Sequence, residues 1–256
     1  MNHEITLAAA FVLVLAGAIG GFLNTVASSG SAVTLPIMIF LGLGPMIANS
    51  TNRVPVVVGL AVAVWKYHRS GQLPWGEGLK LALPTVAGAI IGTLLAAGLD
   101  DEKTGYLTTF AVLAAMLLVL LNPSRWLNAD QSSQTKNSGP LVFGALFVVG
   151  IWTGLIVLDS GTYFLAVLVL QAHYPLREAN AIKVLTMALP SLMAVIIFAA
   201  KGEINWHWAI PLSIGGIFGS LIGARLSLGP NANRWIFWML VLVLGVQGIQ
   251  LALRFL

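Results

Sequence analysis

The chain is organised around residues 20–53, which read GGFLNTVASSGSAVTLPIMIFLGLGPMIANSTNR. Hydrophobic sequence lies on both sides of this stretch, yet its middle carries small, hydroxyl and amide side chains, and its end is the cation Arg53. In a lipid bilayer, backbone groups outside a helix must be covered by protein or must line a watery cavity. The stretch therefore predicts an interrupted helix, the feature of sequence that best indicates a transport site.

The features of this stretch return later in the chain at one constant spacing. Four motifs recur in the same order, each 131 residues further on: Ser29-Gly30-Ser31 as Ser160-Gly161-Thr162, Ala48-Asn49 as Ala179-Asn180, Gly71-x-Leu73-x-Trp75 as Gly202-x-Ile204-x-Trp206, and Gly88-x-x-x-Gly92 as Gly219-x-x-x-Gly223. The alternative is chance in a Gly-rich hydrophobic sequence. Four matches at one offset predict a duplicated unit.

Composition indicates a membrane protein. Of the 256 residues, 58% are hydrophobic and 9% are charged, and the mean hydropathy is +0.90, whereas soluble domains carry about 25% charged residues. The chain has no cysteine, which excludes disulfides and thiolate metal sites. The isoelectric point of 9.6 arises from cations spread over short loops, a pattern that membrane orientation explains better than nucleic-acid binding. We predict an all-α polytopic membrane protein.

Ten hydrophobic segments define the predicted domain organisation. They lie near 5–27, 31–42, 47–66, 79–99, 104–121, 139–158, 161–172, 177–200, 207–227 and 233–254. The second and the seventh are shorter than the roughly 20 residues that a helix needs to cross the bilayer. Each follows a Ser-Gly break, and each either re-enters as a hairpin with the preceding helix or crosses as a short tilted piece. Residues 1–121 and 139–256 are the predicted transmembrane repeats, joined by a cytoplasmic linker at 122–138.

The distribution of charge predicts that the two repeats are inverted. If the linker is cytoplasmic, the loops on its side hold eight Lys and Arg residues, and the opposite side holds three. This is the direction that the positive-inside rule requires. Because each repeat has five segments, an odd number, the second repeat must face the opposite way, as in many secondary transporters. Both termini are then predicted on the non-cytoplasmic side.

Several motifs resemble those of a known family of transporters. The run GFLNTVASSGS at 21–31, followed by Pro36 and by GPMIANSTN at 44–52, resembles the TauE/SafE sulfite exporter family, and so does WKYHRSGQLPW at 65–75. A weaker version in the second half extends the resemblance over the whole chain through Gly161, Pro175, Ala179 and Asn180. The resemblance implies a bacterial inner-membrane carrier of small sulfur-containing anions such as sulfite or organosulfonates. The chain departs from the family pattern at 27–31 and 158–162, where more side chains line the breaks.

Three ionisable residues lie inside hydrophobic segments and mark the predicted site: Arg53, Asp159 and Lys183. Charges at that depth are costly and mark ion or substrate paths. Arg53 follows Asn49 by four residues and Lys183 follows Asn180 by three, so each cation shares a helix face with an amide. Backbone N–H groups at the half-helix starts also favour an anion.

The residues predicted to bind the substrate are Asn24, Ser28, Ser29, Gly30, Ser31, Asn49, Asn52, Arg53, Ser160, Gly161, Thr162, Asn180 and Lys183. Asp159, the one embedded acid of the sequence, is the predicted coupling or gating residue. A closed structural ion pair between Asp159 and either cation is the alternative for these charges.

The prediction that unites these features is a secondary transporter that exports small anions by alternating access at a midplane site. Two other classes stay open: a cation- or proton-linked carrier or channel for another small solute that uses Asp159, and a non-transporting membrane scaffold. No enzyme is predicted, because the sequence has neither a helical metal pair of histidines nor a nucleophile elbow. The predicted partners are a small anion and the lipid bilayer, without nucleic acid, metal or cofactor. The oligomeric state, a homo-oligomer included, stays open.

Overall fold

The computed structural model describes residues 6–26, 30–99, 106–107, 110, 113–115, 117, 136 and 138–254. Most of the predicted segment 104–121 and of the linker lies outside these residues. The described helices are α1 Leu7–Val26, α2 Ser31–Phe40, α3 Pro45–Arg69, α4 Trp75–Ala96, α5 Pro140–Leu155, α6 Ser160–Ala166 with a π-helical continuation Val167–Gln171, α7 Leu176–Ala200, α8 Trp206–Ser227 and α9 Ala232–Arg254.

The prediction of an all-α polytopic membrane protein is confirmed. The described part of the chain contains helices and no strand. Five helices, α1, α3, α4, α7 and α8, are long and apolar enough to cross a membrane. Large hydrophobic side chains such as Phe11, Leu83 and Phe218 are exposed on the outside of the bundle. A soluble protein rarely exposes so much contiguous apolar surface, but a lipid-facing surface requires it.

The first break, which lies between α1 and α2, brings the start of α2 against α1. The backbone N–H of Gly30 donates to Asn24 Oδ1 at 2.9 Å, and Thr34, one turn into α2, lies against Gly20, one turn earlier in α1. The first turn of α2 therefore packs against the last two turns of α1. The choice between a hairpin and a short tilted crossing for residues 31–42 stays a prediction.

The turns that follow α3 and α7 have the same backbone conformation and hydrogen bond. After α3, Gly71 adopts a φ of +69° and Gln72 N donates to Tyr67 O, and after α7, Gly202 adopts a φ of +72° and Glu203 N donates to Phe198 O. Only glycine takes this left-handed conformation at little cost, which is why it ends both helices. The three residues of the second half, Phe198, Gly202 and Glu203, lie 131 positions after Tyr67, Gly71 and Gln72, so the two turns correspond under the sequence offset.

The helices of the two halves pack crosswise. Gly17 and Gly21 of α1 lie against the backbone of α8, and Gly150 and Gly154 of α5 lie against the backbone of α4. Helix α5 precedes the second break and α8 follows it, as α1 precedes the first break and α4 follows it. Each outer pair is therefore formed by one helix from each half, and glycine lets the two backbones touch.

The centre of the bundle contains α3 and α7, which run antiparallel. Tyr67 near the end of α3 contacts Asn180 near the start of α7, whereas Arg53 near the start of α3 lies beside Phe198 near the end of α7. Both helices have 25 residues. The two central helices of the bundle therefore point in opposite directions.

A polar cluster on the linker side connects the two halves. Tyr174 donates to Glu77 Oε2 of α4 at 2.7 Å, and Lys136 of the linker pairs with Glu178 of α7 at 2.8 Å. Burial raises the pKa of Tyr174 to about 12, so its hydroxyl keeps the proton that it donates. These contacts hold the start of α4, the end of the linker and the start of α7 together on one side.

Candidate anion site

The first break is held together by amide and hydroxyl side chains. Asn24 accepts from Gly30 N across the break, and from α3 Asn52 Nδ2 donates to Ser31 Oγ at 2.9 Å. Thr34 in turn donates to Asn52 Oδ1 at 2.7 Å. Ser28 and Ser29 lie outside the described residues. The predicted residues Asn24, Gly30, Ser31 and Asn52 are therefore brought together at one place.

Two residues of the second half also reach this break. Asn180 Nδ2 donates to Thr25 O at 3.1 Å and to the Tyr67 hydroxyl at 2.8 Å. Lys183 Nζ donates to Asn24 O at 3.0 Å. The carbonyls of Asn24 and Thr25 belong to the last described turn of α1. The amide and the cation of α7 thus cap the end of α1.

At the second break, which lies between α5 and α6, an amide and a cation again bond to the end of a helix. Here the first half supplies the two side chains and the second half supplies the helix. Asn49 Nδ2 donates to Leu155 O at 3.1 Å, and Arg53 donates through Nη1 to Thr153 O and through Nη2 to Gly154 O. The carbonyls that receive these bonds lie in the last turn of α5. Asn49 also accepts from Val157 N just beyond the helix end. The amide and the cation of α3 therefore cap α5.

Asp159 begins the half-helix that follows the second break. It is fully buried and has a φ of +56°, in the left-handed region that few non-glycine residues adopt. Its carbonyl accepts from Thr162 N at 2.9 Å, and Ser160 Oγ donates to Val157 O. Ser160, Gly161 and Thr162 are buried beside it. A carboxyl group thus lies at a turn that the backbone adopts only under constraint.

The electrostatics of the two breaks are dominated by the buried cations. Arg53 and Lys183 are both 0% exposed. Among the described residues the structure shows one ion pair, Lys136 with Glu178, and neither buried cation takes part in it. The negative ends of α1 and α5 offset part of each positive charge. A protonated cation carries more charge than the half charge of a helix end, and the second break also holds the carboxyl group of Asp159.

Both cations also keep hydrogen-bonding capacity in reserve. An ammonium group has three donors and a guanidinium has five. Within the part of the chain that the structure describes, Lys183 uses one of its donors, on Asn24 O. Arg53 uses Nη1 and Nη2 on two carbonyls, and its buried Nε has no partner in the described part of the chain. Donors with positive charge and no bound acceptor are what an oxyanion requires.

The predicted residues form two clusters around the two breaks. The first contains Asn24, Gly30, Ser31, Asn52, Asn180 and Lys183. The second contains Asn49 and Arg53, bonded to the end of α5, and the residues that follow in the chain, Asp159, Ser160, Gly161 and Thr162. Arg53 and Lys183 therefore contact different helix ends. Experiment has to decide whether both of them bind the same ligand.

Sequence reasoning missed three residues at these clusters. Thr34 bonds to Asn52, Tyr67 bonds to Asn180, and Phe198 lies 5.9 Å from the guanidinium carbon of Arg53. A signal for two of them was present, because 67 and 198 differ by the repeat offset of 131. Within the described residues, no three His, Asp or Glu side chains are grouped in a way that could hold a metal.

Comparison with known proteins gives one family and a group of named transporters. The family model described as sulfite exporter TauE/SafE matches residues 13–248. The probable membrane transporter protein ORF9 of a Sinorhizobium species is 28% identical over 95% of this chain and 91% of its own length. YfcA of Escherichia coli strain K12, also named a probable membrane transporter protein, is 23% identical over 94% of this chain and 88% of its own. Similar coverage is found for YjnA of Bacillus subtilis, with 23% identity.

Proposed function

This chain belongs to the TauE/SafE sulfite exporter family and is a membrane transporter, and we propose that it carries small sulfur-containing anions such as sulfite or organosulfonates. It does so as a secondary transporter in the bacterial inner membrane. Substrate moves by alternating access between two inverted repeats, which hold the breaks of α1 and α5 at the centre of the bundle. The direction is export, since a cytoplasm-negative potential of 100 mV favours exit of a monovalent anion by about 2.3 kcal/mol.

One observation carries the proposal: Arg53 and Lys183 are fully buried without an ion pair in the described part of the chain. A cation at the centre of a membrane helix costs roughly 2.5–3.5 kcal/mol even by insertion measurements. If the charges served stability alone, neutral amide caps would serve better, because they carry no such penalty. A transported anion that meets these charges gives them a reason to be present.

A screen of anions tests the proposal without a guess at the substrate. Purified protein is heated with sulfite, sulfate, thiosulfate, taurine, sulfoacetate or small carboxylates. A ligand at 100 times its dissociation constant should stabilise the fold by about 2.7 kcal/mol. Stabilisation by one or more sulfur oxyanions, and none by matched chloride, is the expected result. Stabilisation by cations or neutral solutes alone would reject the anion as substrate.

The inverted arrangement predicts that equivalent loops lie on opposite sides of the membrane. Ser70 and Lys201 follow the ends of α3 and α7, are both exposed, and are 131 residues apart. The chain has no cysteine of its own, so each single variant, Ser70→Cys or Lys201→Cys, presents one thiol. An impermeant thiol reagent added to intact cells should label Cys at 201 and spare Cys at 70. Labelling of both from one side would contradict the inversion.

Asp159 is the proposed coupling or gating residue, and Asp159→Asn tests it cleanly. Asparagine has almost the same volume and adopts the left-handed conformation as readily as any residue with a side chain, so the substitution removes charge without strain. We expect a changed transport rate and the loss of whatever pH dependence the carboxyl confers, measured as flux across a pH series. Unchanged rate and pH profile would make Asp159 structural, and loss of a cation flux instead would favour the cation-linked carrier.

A further inference from the structure

Two buried aromatic rings occupy equivalent positions on the two sides of the site. Tyr67 and Phe198 are each 0% exposed, and 198 is 131 residues after 67. Each lies near the C-terminal end of a central helix, with its carbonyl accepting the backbone bond that ends that helix. Because α3 and α7 are antiparallel, one ring lies toward one membrane face and the other ring toward the opposite face.

Each ring adjoins the break on its own side. The Tyr67 hydroxyl accepts from Asn180, which also caps α1, and Lys183 lies one turn further along the same helix. On the other side, the Phe198 ring lies 5.9 Å from the guanidinium carbon of Arg53, which caps α5. The two rings therefore contact the two amide and cation pairs from opposite ends of the bundle.

On the Tyr67 side, a surface cleft lies near the end of α3. A cleft of about 420 Å³ is lined by Gln72, Pro175, Arg177 and Glu178. Gln72 N bonds to the carbonyl of Tyr67, and Arg177 lies one helical turn before Asn180 on α7. The cleft therefore lies beside the end of α3 that carries Tyr67 and the start of α7 that carries Asn180.

From this placement we propose that Tyr67 and Phe198 are the two gates of the transport path, and that Asn180 latches the Tyr67 gate. This inference rests on the proposed transport function and adds to it the two residues that open and close the path in turn. Only Tyr67 has a hydroxyl for a hydrogen bond, so the two gates are unequal although their positions are equivalent. The Tyr67 gate should open less often than the Phe198 gate, because opening must break the bond to Asn180.

The test uses one reporter thiol in the polar cluster at the first break. Ser31 is 1% exposed and bonds to Asn52, and Ser31→Cys replaces a hydroxyl with a thiol of similar shape in a chain free of other cysteines. In this background, Tyr67→Ala should raise the labelling rate about tenfold or more for an impermeant reagent added on the cleft side. Phe198→Ala should do so for reagent added on the opposite side. Inside-out and right-side-out vesicles present the two sides.

Matched variants separate a gate from a general loosening of the fold. Tyr67→Phe keeps the ring and removes the latch, so it should label more slowly than Tyr67→Ala and faster than the parent. Phe237→Ala removes a buried ring of α9, 4% exposed, and should leave the reporter protected. If an Ala variant is not recovered folded, Tyr67→Leu and Phe198→Leu replace it, with the same sidedness expected.

The outcomes decide the gates independently of the substrate, because labelling needs no anion. Labelling that follows the removed ring to opposite faces supports the proposal, and it does so even if no sulfur oxyanion is transported, in which case only the proposed substrate fails. Labelling of folded Tyr67 and Phe198 variants from the same face, equally from both, or no faster than in Phe237→Ala overturns it.

Discussion

Replacing both buried cations, as Arg53→Gln with Lys183→Gln, should abolish anion-dependent stabilisation and anion transport while the protein stays folded in the membrane. Charge-assisted hydrogen bonds are roughly twice as strong as neutral ones, so the two cations should dominate affinity for an oxyanion. Each single variant should weaken binding tenfold or more, a loss of at least about 1.4 kcal/mol. Titration of the anion against the melting temperature measures both effects.

The same variant should be no less stable than the parent in the absence of anion. Glutamine keeps an N–H donor for the helix ends that Arg53 and Lys183 cap, and it removes two charges that have no acidic partner in the described chain. Removal of such charges lowers the desolvation cost of the fold. A charge that is kept for function lowers the free energy of unfolding, whereas a charge that is kept for structure raises it. The sign of the change in stability on substitution therefore separates the two roles.

Conservative exchange provides the control for these cations. Arg53→Lys keeps the charge but cannot reproduce the two bonds that Arg53 makes to Thr153 O and Gly154 O. It should therefore bind anion more weakly than the parent and more strongly than Arg53→Gln. Single variants that bind and transport the anion as the parent does would show that the charges are structural, and the anion site would be wrong.

A leucine at either glycine crossing should unfold the bundle. In α8 the space beside Gly219 is filled by the backbone of Ala18 and Phe22, and in α4 the space beside Gly88 is filled by the backbone of Phe147, Gly150 and Ile151. Backbone cannot move aside as a flexible side chain can, so the cost should be at or above the upper end of the roughly 1–3 kcal/mol typical of overpacking. The melting temperature and the yield of monodisperse protein measure it.

Glycines without close neighbours supply matched controls for this prediction. Gly144 of α5 and Gly245 of α9 have no atom within 4 Å of an added Cβ, and both are exposed on the outside of the bundle. Leucine there should be tolerated, since an apolar side chain suits a lipid-facing position. Equal damage at all four positions would mean that helix propensity, and not the crosswise contact of α1 with α8 and α4 with α5, decides the outcome.

Local sequence patterns were sufficient to predict where the described helices begin and end. The helix ends follow the predicted segments closely, because Pro45, Gly71 and Gly202 constrain the backbone in ways that depend on few neighbours. Asn49 and Arg53 reach the same helix end, and so do Asn180 and Lys183. Each pair therefore shares a helix face, as the spacing predicts. Helical periodicity alone fixes such relations.

What the sequence could not supply is which helix end each pair reaches. Asn49 bonds to a carbonyl 106 residues away, and Lys183 bonds to one 159 residues away. No periodicity encodes a contact of that range, which depends on the crosswise packing of the halves. Asn52 is next to Arg53 in sequence but faces the first break, because adjacent helical positions point about 100° apart.

The gates were overlooked for a different reason. An aromatic residue in a hydrophobic segment is usually a packing residue or an interfacial anchor, so Tyr67 and Phe198 carried no signal by themselves. The repeat offset and the positions of Asn180 and Arg53 together indicate their role. The offset can be read from the sequence, but those positions are known only from the fold.

The most direct test of the account is sulfite flux into proteoliposomes that contain the purified parent protein or the Arg53→Gln/Lys183→Gln variant. The parent should give saturable sulfite uptake that other sulfur oxyanions compete with and that an inside-positive potential accelerates. The variant, reconstituted to the same density, should match protein-free vesicles. Sulfite flux in the variant equal to that of the parent would contradict the claim that the two buried cations bind the transported anion.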